Sequence, residues 1–174
     1  DLDATLQSGQ AFRWRTDGEW FHGVVFGNIV RMRRRPGGIE FFSAPDDERG
    51  IEHPLRDYLG LQSDLDLIYA SIATDERVKA AVARYHGMRV LRQDPWECLV
   101  SFICSSASNI PRISRNVEDI CSSFGRPVRL GDHVRHAFPS PQELAGAGEE
   151  RLRSLGLGYR AGYLAATAKV IADG

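Results

Sequence analysis

The fold is decided by the stretch Asp94-Pro95-Trp96-Glu97-Cys98-Leu99-Val100-Ser101-Phe102-Ile103-Cys104, which carries the signals of a buried helix. Asp94 can accept hydrogen bonds from the first free N–H groups, and Pro95 suits the first helical position. Glu97 completes a pattern similar to a capping box. Because the body Cys98–Cys104 is apolar nearly all round, we predict that this helix is central to the fold.

The spacing of apolar residues elsewhere in the chain distinguishes predicted strands from predicted helices, and it changes at Pro45. Before Pro45 it has a period of two and is interrupted by turn residues, which predicts antiparallel strands at Ala11–Arg15, Trp20–Phe26, Ile29–Arg35 and Ile39–Ser43. After Pro45 the period is 3.6, which predicts helices at about 52–60, 64–73, 75–86, 94–104, 109–124, from 141, 149–155 and 159–172. The predicted fold class is α+β, an antiparallel sheet followed by a helical block. We divide it into a β-rich domain over 1–60 and a helical domain over 61–174.

Composition excludes several classes of protein. The chain has 174 residues, with 22 Lys+Arg against 23 Asp+Glu, which argues against a disordered tail. No window approaches 18 apolar residues, so no membrane span is expected. Both ends are expected to be cut, because Asp1 follows no visible leader and Gly174 ends a helical pattern.

Cysteine spacing indicates no metal site. Cys98, Cys104 and Cys121 form no C-x-x-C pair and lie at no zinc-ligand offset from a histidine. We expect buried, reduced thiols. Neither a metal nor another cofactor is expected.

Four stretches, in this order, carry a resemblance to a known family: Ser8-Gly9-Gln10-Ala11-Phe12-Arg13-Trp14; Leu91–Cys98 continuing through Ser101–Ser106; His136-Ala137-Phe138-Pro139; and Leu155-Gly156-Leu157-Gly158-Tyr159-Arg160-Ala161. They resemble the N-terminal half of the eukaryotic-type 8-oxoguanine DNA glycosylases, members of the helix-hairpin-helix glycosylase superfamily. The resemblance implies a sheet similar to a TATA-binding-protein half-domain, packed on helices. It also implies that duplex DNA is gripped between helical subdomains.

The resemblance implies an activity as well. The family flips the oxidised guanine out of the duplex, cleaves its glycosidic bond with a lysine nucleophile, and cuts the abasic strand through a Schiff base. The implied partner is duplex DNA with 8-oxoguanine opposite cytosine. The implied protein is a monomer located inside the cell with the genome.

No catalytic residue is expected in this chain. In the family, the lysine and an assisting aspartate lie in a segment that follows the last helix seen here. Lys169 is flanked by Ala168 and Val170, which do not match the family motif, so we interpret it as a solvated helical lysine. The chain alone is therefore expected to be inactive.

Residue by residue, the resemblance assigns Gly9 to recognition of the lesion. The family glycine offers its carbonyl to the N–H that distinguishes the oxidised base from guanine, where guanine presents a lone pair. Tyr159 matches a residue that wedges between base pairs. Arg160 and Arg112 match donors to the cytosine left without a partner. Without the resemblance, Gly9 reads as a turn glycine, and Tyr159 and Arg160 read as a core anchor and a surface cation.

Two further residues are candidates for DNA binding, Asn109 and His136. A neighbouring residue, Ala107, departs from the family pattern. Asn109 matches the last of three family asparagines that kink and hold the DNA, and it also has the position of a helix cap. Ala107 replaces the first of them, which puts the requirement for cytosine in doubt. His136 resembles a family position near DNA, with a loop hydrogen bond as the alternative.

Three functions remain open on the sequence. The first is an 8-oxoguanine DNA glycosylase and lyase represented by its N-terminal portion. The second is a damaged-DNA-binding module without catalysis. The third is a packing or interaction domain with no role on DNA.

Overall fold

The computed structural model describes all 174 residues, which form a four-stranded sheet, a helical block and a two-stranded sheet. The strands are β1 (Arg15–Asp17), β2 (Trp20–Val25), β3 (Asn28–Arg35), β4 (Gly38–Ala44), β5 (Pro127–Leu130) and β6 (His133–His136). The helices are α1 (Leu2–Leu6), α2 (Glu48–Tyr58), α3 (Leu65–Ile72), α4 (Glu76–Arg84), α5 (Pro95–Ser105), α6 (Ile110–Phe124), α7 (Pro141–Leu152) and α8 (Arg160–Asp173). A π-helical turn over Arg153–Leu157 separates α7 from α8. The predicted α+β class is confirmed.

The first sheet is an antiparallel meander in the order β1-β2-β3-β4. Val24 on β2 pairs with Ile29 on β3, across a turn in which Phe26 and Gly27 have φ of +47° and +77°. Two successive positive φ values are what a two-residue hairpin turn needs to match the twist of the strands. The turn sets the register, which places Val24 and Val25 among the buried residues of β2.

The predicted strand Ala11–Arg15 is wrong except at its last residue, because β1 begins at Arg15. The residues before β1 bury their side chains without forming a ladder. The indole N–H of Trp14 donates to the hydroxyl of Tyr58 at 2.8 Å, and both side chains lie in the first hydrophobic core. The alternating apolar residues of this segment are not on the two faces of a sheet. Trp14 packs in the first hydrophobic core and Phe12 packs against the helices of the second.

Two main hydrophobic cores divide the molecule. The first core lies between the four-stranded sheet, α1 and α2, and includes Leu6, Val30, Met32, Ile51 and Leu55. The second core lies between α5, α6, α7 and α8, and includes Val100, Ile120, Leu144, Leu152 and Leu164. A small third cluster, Val24, Ile29, Val128 and Ala137, packs the β5–β6 hairpin against the sheet. The hairpin therefore bridges the two main cores.

Helix α5 begins as predicted but is not covered on every side. The carboxylate of Asp94 accepts hydrogen bonds from the N–H groups of Trp96 and Glu97, both at 2.9 Å. Val100 is fully buried in the second core, whereas Phe102 is 74% exposed. The expectation of a wholly central helix is therefore wrong on the Phe102 face, where no element of this chain packs.

The cysteine prediction is partly wrong. Cys104 and Cys121 are buried, but Cys98 lies on the exposed side of α5, and all three are free thiols. Neither α5 nor any other helix combines the length and the apolar character needed to span a bilayer.

Candidate nucleic-acid interface

The α5–α6 turn, residues 106–109, is the centre of the candidate site. The start of α8 packs beside it, with the hydroxyl of Tyr159 3.0 Å from Oγ of Ser106. The loop that contains Gly9 approaches the start of α6, because a Cβ built on Gly9 would lie 2.9 Å from Cδ1 of Ile110. The fold therefore brings three of the four motif stretches to one surface.

Side-chain amides hold the Gly9 loop in place. Gly9 has a φ of +83°, a left-handed conformation that glycine adopts without steric cost. The amide group of Gln10 donates to the carbonyls of Thr5 at 3.0 Å and Arg89 at 2.9 Å, and its Oε1 accepts from the N–H of Leu91 at 2.8 Å. The Gln10 side chain thus ties the loop to α1 and to the segment before α5 within the protein itself.

Asn109 acts as a helix cap. Its Oδ1 accepts a hydrogen bond from the backbone N–H of Arg112 at 3.0 Å, and both side chains are exposed. The NH₂ group of Asn109 and the guanidinium of Arg112 form no hydrogen bond or ion pair within the chain. Both groups are therefore available as donors at the surface.

Tyr159 presents an aromatic ring at the surface. The side chain is 51% exposed at the position that precedes α8, and its ring meets that of Tyr163 edge to face at 6.3 Å. Its hydroxyl contacts Ser106, so the ring is anchored at one end. The exposed part of the ring is available to stack against a base.

Arg160 is buried, so its interpretation as a surface cation is wrong. The side chain is only 3% exposed. Its Nε donates to the carbonyl of Ser106 at 2.8 Å and its Nη2 donates to the carbonyl of Ala107 at 3.0 Å. The α5–α6 turn therefore occupies the guanidinium that the resemblance assigns to cytosine.

Ala107 adopts a conformation that alanine disfavours. Its φ is +45°, and a left-handed conformation costs a non-glycine residue about 1–2 kcal/mol. Asparagine enters this region more readily than alanine. The departure from the family asparagine therefore removes a polar side chain and also leaves a less suitable residue at the turn.

Neither His136 nor Lys169 is bonded to the residues around the α5–α6 turn. His136 is half-buried in β6, and its backbone carbonyl accepts a hydrogen bond from the guanidinium of Arg13. Lys169 is exposed in the second half of α8. No hydrogen bond or ion pair joins either side chain to Gly9, Tyr159 or Arg160.

A buried ion pair joins the segment before β1 to α5. Nη1 of Arg13 lies 3.8 Å from Oε2 of Glu97, with the two side chains 3% and 18% exposed. Burial raises the pKa of Glu97 to about 7, although the Arg13 guanidinium acts in the opposite direction. At 3.8 Å the pair lacks a direct hydrogen bond, which explains why Arg13 does not restore an ordinary carboxylate pKa.

The buried thiols of the second core stay protonated near neutral pH. Burial raises the pKa of Cys104 to about 11 and that of Cys121 to about 12, so neither forms a thiolate near neutral pH. Nowhere do three or more His, Cys, Asp or Glu side chains converge closely enough to bind a metal ion. The candidate site therefore contains neither a reactive thiol nor a metal-binding cluster. It consists of the hydrogen-bond donors of Asn109 and Arg112, the ring of Tyr159 and the backbone at Gly9.

Sequence reasoning missed the residues that hold this surface together. Gln10 lies inside the first motif stretch, but nothing local shows that its amide reaches Arg89 and Leu91. Arg13 and Glu97 also lie in motif stretches, and their pairing joins positions 84 residues apart in sequence. Only an alignment of many sequences could have signalled these long-range contacts.

Comparison with known proteins agrees with this geometry. The family model of the 8-oxoguanine DNA glycosylase N-terminal domain matches residues 1–99, and that of the HhH-GPD superfamily of base excision DNA repair proteins matches residues 100–173. The N-glycosylase/DNA lyase OGG1 of Arabidopsis thaliana is 35% identical over 98% of this chain and 48% of its own length. The N-glycosylase/DNA lyase of Saccharomyces cerevisiae is 34% identical over 99% of this chain and 50% of its own.

A solved structure has the same fold. The 8-oxoguanine glycosylase/lyase of Clostridium acetobutylicum, in complex with double-stranded DNA containing cytosine opposite 8-oxoG, matches with a TM-score of 0.91 at 28% identity. The match covers 99% of this chain and 59% of that one. The chain spans about half the length of the curated relatives it matches. It belongs to the family defined by the N-terminal domain of 8-oxoguanine DNA glycosylases.

Proposed function

We propose that the protein carrying this chain is an 8-oxoguanine DNA glycosylase with AP-lyase activity, which repairs oxidised purines in duplex DNA by base excision. The single observation that carries the proposal is the meeting of the Gly9 loop, Tyr159 and the capped start of α6 at the α5–α6 turn. Two relatives that match nearly the whole chain are named N-glycosylase/DNA lyase, which supports the same activity. Its place of action is inside the cell, with the genome, and it acts as a monomer.

Gly9 recognises the lesion in this proposal. 8-Oxoguanine carries an N–H at position 7, where guanine has a lone pair, so a carbonyl attracts the lesion and repels the normal base. The loop is fixed by Gln10, so its carbonyl does not have to be ordered when the base arrives. Absence of a side chain at Gly9 lets the base approach the backbone closely.

The other strand is read at the α5–α6 turn. Tyr159 fills space in the stack after the base leaves, which offsets part of the unstacking cost of a few kcal/mol. The free guanidinium of Arg112 donates to the two acceptors on the Watson–Crick edge of the orphaned cytosine. The amide of Asn109 and the imidazole of His136 contact the phosphate backbone.

The nucleophile lies outside these 174 residues in this proposal. The chain has two lysines, Lys79 and Lys169, and both are exposed. Lys79 is paired with Glu76 at 2.8 Å on α4. Neither has the buried or electropositive surroundings that turn lysine into a nucleophile at neutral pH. The chain therefore contributes recognition, and the chemical step needs further residues.

Excision tests the proposal. We expect the full-length protein to release 8-oxoguanine from a duplex opposite cytosine and to cut the resulting abasic strand, while the 174-residue chain releases none. Base release and strand cutting are measured separately, with an undamaged duplex as the control. A full-length protein that leaves 8-oxoguanine intact and removes alkylated purines would place it in a neighbouring glycosylase family.

The second candidate is a damaged-DNA-binding module without catalysis, which the absence of an activated lysine favours. It predicts that the chain binds a lesion duplex more tightly than a normal one, with affinity that weakens as salt rises. If the full-length protein binds the lesion selectively but never releases the base, this candidate replaces the first. A stable fold with no affinity for DNA would instead leave only a packing or interaction domain.

A further inference from the structure

We propose that the contact between His22 and His133 is a pH-sensitive switch, which holds the β5–β6 hairpin on the four-stranded sheet near neutral pH and releases it in acid. The two rings come from separate sheets, and their centroids are 4.6 Å apart. His22 lies on β2 and is 7% exposed, whereas His133 begins β6 and is exposed. The switch operates in the protein without DNA, so it stands apart from lesion recognition.

Side-chain contacts dock the hairpin, because no backbone ladder joins β5 or β6 to the four-stranded sheet. The apolar part of the contact is the small third cluster, to which the sheet contributes Val24 and Ile29. His22 lies two residues before Val24 on β2, so the two side chains are on the same face of the sheet. The histidine contact therefore extends the apolar contact along the boundary between hairpin and sheet.

The fold accommodates His22 as a neutral imidazole. Its Nε2 is buried and has no hydrogen-bond partner. A protonated imidazole carries an N–H on both ring nitrogens, and the docked protein supplies no acceptor at Nε2. Protonation of His22 in place would therefore bury a charge together with an unsatisfied donor, and both are costly.

Arginines surround His22 on the sheet. Arg31 is its cross-strand neighbour on β3, and Arg15 is its neighbour on β1. The buried Nε of Arg31 has no partner, and no ion pair of the structure includes Arg31. Arg135 on β6 is a third cation near the contact, although Glu118 pairs with it at 3.0 Å. A proton on His22 would therefore add a charge beside an uncompensated cation.

The carboxylates near the contact do not offset these cations. Asp17 on β1 favours the protonated form of His22, but its side chain is exposed. Glu48 and Asp132 line a cleft of about 460 Å³ beside His133. None of the three carboxylates forms an ion pair with either histidine of the contact.

These surroundings give the docked hairpin a defined response to pH. Burial, followed by His133 and Arg31, lowers the pKa of His22 below its ordinary value of 6.5. Release of the hairpin exposes His22 to water and brings its pKa back towards 6.5, so the released state binds more protons than the docked state. The contribution of His22 to docking is therefore complete above about pH 6.5 and is lost as the pH falls through the lowered pKa.

Amide hydrogen exchange tests the switch on the full-length protein without DNA, over peptides covering 127–137 at pH 7.5 and 5.5. A two-stranded hairpin is marginally stable alone, so its amides lose protection once it leaves the sheet. After correction for intrinsic exchange, we expect the wild type to lose protection about three- to tenfold at pH 5.5. About tenfold is the limit for one histidine that titrates at 6.5 when released and stays neutral when docked.

Two variants and a control assign this loss to the contact. His22→Phe keeps a ring in place and removes the ionisable group, so its protection should be the same at both pH values. His133→Phe should retain only part of the acid effect, and it provides the comparison if the first variant does not fold. His53→Gln should behave as the wild type, because His53 is exposed on α2 and pairs with Asp57. The acid response of Glu97 is present in every variant, so it cancels.

NMR titration of the histidine ring protons measures protonation of His22 directly. We expect His22 to titrate below 6.5 in the wild type. Its pKa should rise in His133→Phe, where one neighbouring ionisable ring is gone.

Any of three results overturns the proposal. The first is equal protection of the wild-type hairpin at the two pH values. The second is an acid effect that both His22→Phe and His133→Phe keep in full. The third is a His22 that titrates at or above 6.5. Because all three are measured without DNA, a failure of the full-length protein to act on 8-oxoguanine would contradict the proposed function and leave the switch decided by its own measurements.

Discussion

The Gly125→Ala variant is expected to lose more than about 3 kcal/mol of its free energy of unfolding, a larger loss than most overpacking substitutions cause. Gly125 ends α6, and a Cβ there would lie 1.9 Å from the backbone oxygen of Ala137 and 2.7 Å from that of Cys121. Neither oxygen can move freely. The N–H of Ala137 is bonded to the carbonyl of Arg126, and the N–H of Gly125 is bonded to that of Cys121, both at 2.8 Å.

Urea unfolding measures the loss, with Gly146→Ala as the matched control. Gly146 lies within α7, and a Cβ there meets nothing within 4 Å. Alanine at an exposed helical position stabilises a protein by roughly 0.5–1 kcal/mol relative to glycine, so this control should unfold at a higher urea concentration. An unchanged midpoint for Gly125→Ala would contradict the packing of the hairpin against α6.

The Arg13→Met variant is expected to lose about 3–5 kcal/mol at pH 8, the usual cost of removing one partner from a buried ion pair. In the wild type the carboxylate of Glu97 is ionised at pH 8. Removing Arg13 raises the pKa of Glu97 further, so at pH 8 the carboxyl must either stay charged without a nearby cation or take up a proton, and both cost stability. At pH 5.5 Glu97 is protonated in the folded protein, so the loss should be clearly smaller. Urea unfolding at the two pH values gives both numbers.

The carboxyl of Glu97 should also make the free energy of unfolding of the wild-type protein depend on pH. Burial raises the pKa of Glu97 from 4.5 to about 7, so the folded state binds more protons than the unfolded state between these values. The contribution of Glu97 to stability is therefore complete below about pH 4.5 and is lost as the pH rises through about 7. Glu97→Gln is the control, because it removes this contribution. If the variant keeps the wild-type slope across the window, Glu97 is not the group responsible.

The helix starts were predictable because their causes are local. Asp94 and Ser140 each cap the N–H groups two or three residues ahead, and such caps are visible in four consecutive residues. The capping box is complete at Ser140, where Glu143 bonds back to the backbone N–H of Ser140 at 2.6 Å. At α5 the reciprocal bond is missing, because Glu97 turns to Arg13 instead. That competition depends on a residue far away in sequence.

The β5–β6 hairpin and α1 were not predicted. Each strand of the hairpin has four residues, and β6 reads His133-Val134-Arg135-His136, which has no apolar alternation. Its stability comes from the third cluster and from Arg135, whose Nη2 lies 3.0 Å from Oε2 of Glu118 on α6. Helix α1 is only five residues long and is fixed by burial of Leu2 and Leu6. Short elements held by distant contacts leave no periodic signal.

The candidate site was predictable as a set of residues but not as a set of roles. Motif resemblance placed Gly9, Asn109, Arg112, Tyr159 and Arg160 in one site, and the structure brings their backbones together around the α5–α6 turn. The opposite burial of Tyr159 and Arg160 depends on how α8 is rotated against α5. The second core fixes that rotation, through Leu164 and Ala161 packed with Val100 and Cys104.

The most direct test of recognition by this chain compares base release with abasic-strand cutting in the full-length Gly9→Ala variant. Cutting of a preformed abasic site needs no base recognition. We expect Gly9→Ala to slow 8-oxoguanine release about tenfold or more, because alanine at a φ of +83° displaces the carbonyl that we propose accepts from the lesion. Gly18→Ala is the control, with a φ of +57° and no atom within 4 Å of its Cβ. The account predicts retained abasic cutting in Gly9→Ala and near wild-type rates for both steps in Gly18→Ala. Wild-type base release by Gly9→Ala, or equal loss of both steps, would contradict it.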